Sequence, residues 1–126
     1  GEVPFMFMTS ISALPLVQAG KVRALGVTSA SRLSLAPNIP TIGEEVAGFD
    51  ASPWYGILVP SKTPSAIVVR LNQVIVDVVK GGTMTKVIEG QGGEVIGSSS
   101  TEFAKFVERE IVKWRAAVVR SGARRD

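Results

Sequence analysis

The stretch from Thr63 to Gly82 leaves this chain the least freedom. Thr63 is a good N-cap, Pro64 belongs at the first helical position where its missing N–H costs nothing, and Gly81-Gly82 closes the segment. Between these marks Ile67, Val68, Leu71, Val74, Ile75 and Val78 recur as one helical stripe. The spacing predicts a helix over 64–80. A second helix is signalled by Ser99-Ser100-Thr101-Glu102, the pattern of a capping box, with Phe103, Phe106, Val107, Ile111, Trp114 and Val118 as its buried face.

Shorter apolar runs of strand character surround these helices. VPFMFM at 3–8 suits a strand covered on both faces, RALGVT at 23–28 and WYGILVP at 54–60 supply two more, and GGEVIG at 92–97 reads as a brief fourth. Between the first two, Ala13, Leu14 and Val17 sit at helical spacing and Gly20 stands where a C-cap glycine belongs. Proline is tolerated only in the first helical turn, so Pro15 places the start of this helix close to Ser12. A shorter helical piece around Met84 to Glu89 ends at Gly90. Strands alternating with helices predict an α/β layer architecture.

One segment does not fit that alternation. From Ser31 to Ala51 the pattern turns to loop chemistry, with Pro37 and Pro40 framing Asn38, and Gly43 and Gly48 accompanying a single helical turn at TIGEEV. Connections of this size are functional or cross between structural units.

Composition narrows the chemistry. A chain of 126 residues with 45% hydrophobic residues can build a core, which argues against disorder. Fourteen Lys and Arg give a net charge of +3 but are spread along the chain, so they form no nucleic-acid footprint. Histidine and cysteine are both absent, which removes the usual general base, the thiolate nucleophile and the commonest metal ligands together. The apolar run IVVRLNQVIVDVV is broken by Arg70, Asn72, Gln73 and Asp77 and falls short of a membrane span. The chain begins at Gly1 without Met or a signal-peptide pattern, so any targeting signal is expected to have been removed or to lie upstream.

Few side chains remain as candidates. Glu44 and Glu45 are adjacent, and Glu102, Glu108 and Glu110 are expected on the polar side of the last helix; nothing makes two of them converge as a catalytic pair. The glycines of GGTMTKVIEGQGGEVIG lack the strand–GxGxxG–helix context and read as helix stops. Trp114 continues a packing stripe, whereas Trp54 suits packing and cleft lining equally. The most suggestive feature is the turn at Thr9, Ser10 and Ser12, whose hydroxyls stand beside a helix start. Such residues cap helices, and the same free N–H groups and helix dipole also favour an anion such as a carboxylate.

The order of motifs adds to this reading. GEVPFMF…ALPLVQAGKVRALGVTSASR, PNIPTIGE, ASPWYGILVPSKTPSAIVVRLNQVI and EGQGGEVIGSSSTEFAKFVEREIVKW together resemble the C-terminal part of the Bug-type extracytoplasmic receptors of tripartite tricarboxylate transporters. The resemblance implies part of a type II periplasmic-binding-protein fold, the two-lobed Venus flytrap, which captures a small carboxylate in the periplasm for membrane permease subunits. It implies neither a cofactor nor catalysis. On that footing residues 1–52 finish the second lobe with its crossing segment, and 53–126 return to the first. A ligand-binding role falls on Thr9, Ser10, Ser12 and Ala13. Many relatives carry acidic residues where this chain has Pro4 and Met8, a departure that makes the expected pocket less polar. The competing reading is a non-catalytic structural module whose exposed sheet edge serves self-association. An enzyme acting on a carboxylate through Lys or Glu is the third.

Overall fold

Helices provide nearly all the regular structure of the computed structural model, which describes residues 3–123. The chain gathers into two units. One holds the residues up to Leu58 together with Gly81–Val95, and the other holds Val59–Lys80 with the chain from Ile96 onward.

The second unit is built on the two helices that the spacing predicts. Helix α2 spans Ser65–Lys80, its first turn closed by the Pro64 carbonyl, which accepts from the N–H groups of Ile67 and Val68 at 3.0 and 3.2 Å. Helix α4 spans Ser100–Ser121 and opens on the expected capping box. Ser99 Oγ accepts from the Glu102 N–H at 3.2 Å, and Glu102 Oε2 accepts from the Ser99 N–H at 2.9 Å. The Ser99 hydroxyl, donating to Glu102 Oε2 at 2.7 Å, and then the Ser99 N–H hold the Glu102 carboxyl below its usual range. Gly122, at φ 67°, ends the helix in the left-handed conformation that glycine adopts most freely.

Helices α2 and α4 pack against each other. The face of α2 that is covered takes in only two residues of the predicted stripe, Val68 and Ile75. Val68, Asn72, Ile75, Val76 and Val79 are the less exposed residues, while Ile67, Leu71, Val74 and Val78 face outward. Aliphatic side chains surround most of this helix, so periodicity alone does not choose the face. Asn72 marks it: its Nδ2 donates to the Ser98 carbonyl at 3.0 Å, just ahead of α4.

In α4 the first half follows the expectation and the second half departs from it. Phe103, Phe106 and Val107 are partly covered, and the two phenyl rings stack at 6.2 Å between centroids. Ile111, Trp114 and Val118 are exposed, against the reading of Trp114 as core. Glu110, expected on the polar side, is instead buried, at 8% relative exposure. A buried carboxylate needs partners, and one helical turn supplies them. Trp114 Nε1 donates to Glu110 Oε2 at 2.9 Å, and Lys113 Nζ pairs with Glu110 Oε1.

The first unit holds helix α1, Ser10–Gln18, and helix α3, Gly82–Gly90. Helix α1 ends in a Schellman motif: Gly20, at φ 67°, donates to the Val17 carbonyl at 3.0 Å, and Lys21 donates to Leu16 at 2.9 Å. The predicted glycine stop is therefore confirmed. Its start is two residues earlier than predicted, and Pro15 lies inside the helix. The loss is confined to the bond that a residue-15 N–H would make to the Ile11 carbonyl, in a helix of only 9 residues.

The strand expectations fare differently. No strand ladder forms among the described residues in 3–8, 54–60 or 92–97, and 23–28 contributes one isolated parallel bridge, Val27 to Thr41. A strand exists only when a neighbour lies about 4.8 Å away to share its hydrogen bonds, so apolar sequence alone cannot make one. Likewise, no apolar residue is buried among the described residues. The expected α/β alternation is thus present among the described residues as helices and connections, with one isolated bridge in place of strands.

The connection after Val27 is the most tightly tied part of this unit. Val27 donates to the Pro40 carbonyl and accepts from the Ile42 N–H, both at 2.9 Å, and Ala51 donates to Thr28 at 2.9 Å. The short 3-10 turn Ile42–Glu44 is capped by Thr41, buried at 5% exposure, in a second capping box with Glu44. Across the loop, Arg32 clamps the same carboxylate, Nε to Oε1 at 2.8 Å and the terminal nitrogen to Oε2 at 2.5 Å, and also donates to the Pro37 carbonyl at 3.0 Å. The Arg32 hydrogen bond, then the Thr41 N–H, bring the Glu44 carboxyl down to about 2 from its ordinary 4.5.

Two outcomes follow from these ties. Because the Glu44 pKa is lower folded than unfolded, its contribution is complete above about pH 4.5 and fades as pH falls toward 2. The protection of the Ile42 and Glu44 amides, taken as exchange relative to the intrinsic rate at each pH, should fall across that acid window, and Glu44→Gln should lower it already at pH 7. Ser99→Ala should weaken α4 by about 1 kcal/mol, read as reduced helical circular dichroism in mild urea.

Candidate functional site

The start of α1 is where backbone donors and hydroxyls gather. Thr9 has extended backbone, φ −66° and ψ 150°, and its carbonyl accepts from the N–H groups of both Ser12 (3.0 Å) and Ala13 (2.9 Å). Those two donors are spent. The N–H groups of Ser10 and Ile11 have no acceptor within the helix and stand at its positive end.

The hydroxyls arrange themselves around this opening rather than closing it. Thr9 Oγ1 donates to Ser12 Oγ at 3.4 Å and makes no cap to a backbone N–H. Ser10 Oγ donates to the Gln91 carbonyl at 3.5 Å, which ties the first turn of α1 to the segment following α3. Gly92 is the close neighbour that allows this. It sits at φ 77°, and a β-carbon there would stand 3.3 Å from Ser10 Oγ and 3.5 Å from Leu14 Cδ1. Ahead of the turn, Met6 and Met8 are apolar and exposed.

The residues predicted from sequence are thus together, with their roles redistributed. Thr9, Ser10 and Ser12 surround the helix start, whereas Ala13 offers only its methyl group because its N–H is already bonded. Ile11 is the residue that sequence reasoning missed. Its side chain carries no polar atom, and its N–H stands in the first helical turn because the helix begins at Ser10 rather than near Ser12. The Glu44 carboxylate is committed to its loop and Glu110 to Trp114 and Lys113, so neither is poised as an acid or base. No group of three metal-ligating His, Cys, Asp or Glu side chains comes together among the described residues. No helix among them is long and apolar enough to cross a membrane.

Residues 1–122 match the family model described as the tripartite tricarboxylate transporter family receptor, TctC. The chain is 31% identical over 121 residues to a UPF0065 protein in the tcbD-tcbE intergenic region of Pseudomonas sp., covering 94% of this chain and 36% of that relative. It is 28% identical over 114 residues to the protein BugT of Bordetella pertussis, covering 90% of this chain and 35% of BugT. Among solved structures, R. palustris Rpa4515 with adipate superposes with a TM-score of 0.78 at 31% identity, over 89% of this chain and 38% of that one. The chain therefore spans about a third of the length of these relatives.

The Gly92 contact offers a direct test of how the turn is held. Gly92→Val should strain the backbone at φ 77° and push on Ser10, so the amide resonances of Ser10 and Ile11 should shift while those of α4 stay in place. An unmoved Ser10 amide would mean that the 91–92 segment does not position α1.

Proposed function

The chain belongs to the tripartite tricarboxylate transporter receptor family, and on that premise we propose that it supplies a carboxylate-holding turn of a periplasmic solute-binding receptor. The observation that carries the reading is the pair of open N–H groups at Ser10 and Ile11. They lie at the positive end of a helix, flanked by the hydroxyls of Thr9 and Ser12. Two parallel N–H donors suit the two oxygens of a carboxylate, and the helix dipole favours its charge. Ala13 would contribute contact through its methyl group.

The ligand class is a small carboxylate: a dicarboxylate or tricarboxylate, an aromatic acid or an acidic amino acid. The R. palustris neighbour, solved with adipate, supports a linear dicarboxylate within that class. Met6 and Met8 beside the turn suit an acid with an apolar body. The role is capture and delivery to the membrane permease subunits, without turnover. In the two-lobed receptor, residues 1–52 would finish the second lobe and 53–126 would return to the first. Within that later segment, 81–95 reaches the ligand turn through Gln91 and Gly92.

Calorimetric titration of a receptor of the family's full length carrying this sequence tests the proposal, with adipate, citrate, benzoate and glutamate as ligands. Thr9 is extended and Ser10 is the first helical residue, so Ser10→Pro fits the backbone while deleting one donor. Losing a hydrogen bond to a charged group should weaken the best ligand about 10- to 100-fold. Ser10→Ala, which keeps the N–H, should cost much less. Equal losses in both variants, or no binding of any acid by a folded receptor, would overturn the reading.

A further inference from the structure

Helix α4 carries a second apolar line, on the side away from its covered face. At about 100° per residue, Val112, Ala116 and Val119 fall within about 60° of one another and opposite Phe103, Phe106 and Glu110. The two valines are 70% and 75% exposed, and Ala116 between them is exposed as well. Ile111, Trp114 and Val118 lie nearer the covered side and form no part of this line. Continued toward the helix start, the line runs through Arg109 and Lys105 in alternating steps of three and four residues. That spacing is the seam of a coiled coil, narrower than the stripe by which a helix packs on its own domain.

Charge decides what such a seam can meet. Arg115 and Arg120 flank the line on its two sides. They and Arg109 are exposed, and no acidic side chain among the described residues bonds to them. Between Lys105 and Arg120, Glu108 is the one acid on this side. An apolar layer laid over it would strand three unpaired guanidinium groups away from water, which is strongly unfavourable. This side of α4 is therefore suited to solvent or to an acidic partner, and not to the interior of a fold.

We infer that it is a docking surface for an acidic amphipathic helix of another protein, one whose apolar seam is bordered by Asp or Glu. A second copy of this chain would set four cations against four, with a single acid on each side to offset them. A lipid surface is met by Trp, Phe or Leu among the cations, whereas two valines and an alanine make the shallow ridge against which a partner helix fits. From Lys105 to Val119 the line is about 21 Å long, so the contact is of the small, transient class, suited to a partner that comes and goes.

The test uses a synthetic peptide of three heptads with Leu along the seam and Glu at every flanking position, and a matched peptide with Lys in place of Glu. Binding is followed by fluorescence anisotropy, both to the chain alone and to a receptor of the family's full length that carries it. The Glu peptide should bind both proteins at least about 10-fold more tightly than the Lys peptide. Arg115→Glu combined with Arg120→Glu should invert that preference, a gain that a misfolded variant would not show. Val112→Asp should weaken the Glu peptide at least about 10-fold with the helical circular dichroism unchanged. Absence of Glu-peptide binding would overturn the inference, and so would equal binding of the two peptides. Binding to the chain but not to the full-length receptor would overturn it too, because the rest of the receptor would then cover this side. Capture by vesicles of phosphatidylglycerol and phosphatidylcholine without peptide binding would make lipid the occupant. A sedimenting mass that rises with concentration, and does not in Val112→Asp, would make a second copy the occupant; both results would sink the idea. No small acid is titrated in any arm, so the outcome is separable from that of the carboxylate proposal, on which this inference does not rest.

Discussion

Glu44 holds Arg32 through two nitrogens and Thr41 through its backbone N–H, and Arg32 also reaches the Pro37 carbonyl. In most domains such a knot would be a surface detail beside the hydrophobic core. Here no apolar residue is buried among the described residues, so the order of the 27–51 connection rests on these polar ties and the bridge from Val27 to Thr41. The same economy recurs elsewhere. Ser99 and Glu102 fix the start of α4, Asn72 locks α2 to the Ser98 carbonyl, and a Schellman motif ends α1. Local hydrogen bonding defines where each element begins and stops, while the driving force of apolar burial is left unspent on the surface.

That division explains what could be read from the residues. Caps and stops were legible because they are local: Ser99-Ser100-Thr101-Glu102 and Gly20 perform in the structure as their chemistry dictates. Faces were not. Of the predicted stripe, Ile67, Leu71, Val74 and Val78 are outward and only Val68 and Ile75 are partly covered, and Glu110 is buried while Trp114 is exposed, because which side of a helix is covered depends on what lies beside it. Strands were least legible, since VPFMFM and WYGILVP carry the right residues but pairing belongs to the neighbour as much as to the run. At the proposed ligand turn the hydroxyls were visible in sequence, whereas the Ile11 N–H was not. Its place in the first turn follows from a helix start two residues earlier than Pro15 suggested.

The proposed binding by backbone donors would suit a chain without histidine or cysteine. A carboxylate held by two N–H groups and a helix end needs no titrating partner, so recognition there has no built-in pH switch near neutrality. On that proposal, discrimination among acids would fall to what surrounds the turn: the apolar Met6 and Met8, and the Gln91-Gly92 segment that Ser10 contacts. The proline-rich connection needs no reactive group for the same reason. Its Arg32–Glu44 clamp sets a path for the chain.

Pro15 carries a mechanical consequence. Without an N–H at that position the Ile11 carbonyl lacks its usual donor, so the first turn of α1 is joined to the rest by fewer rungs than a regular helix has. The donor-bearing turn is thus a hinged fingertip, steadied from outside by the Ser10 to Gln91 contact, while Gly20 anchors the knuckle behind it. An anion settling on Ser10 and Ile11 would stiffen that joint, and part of its binding energy would be spent on quieting motion instead of on holding the guest.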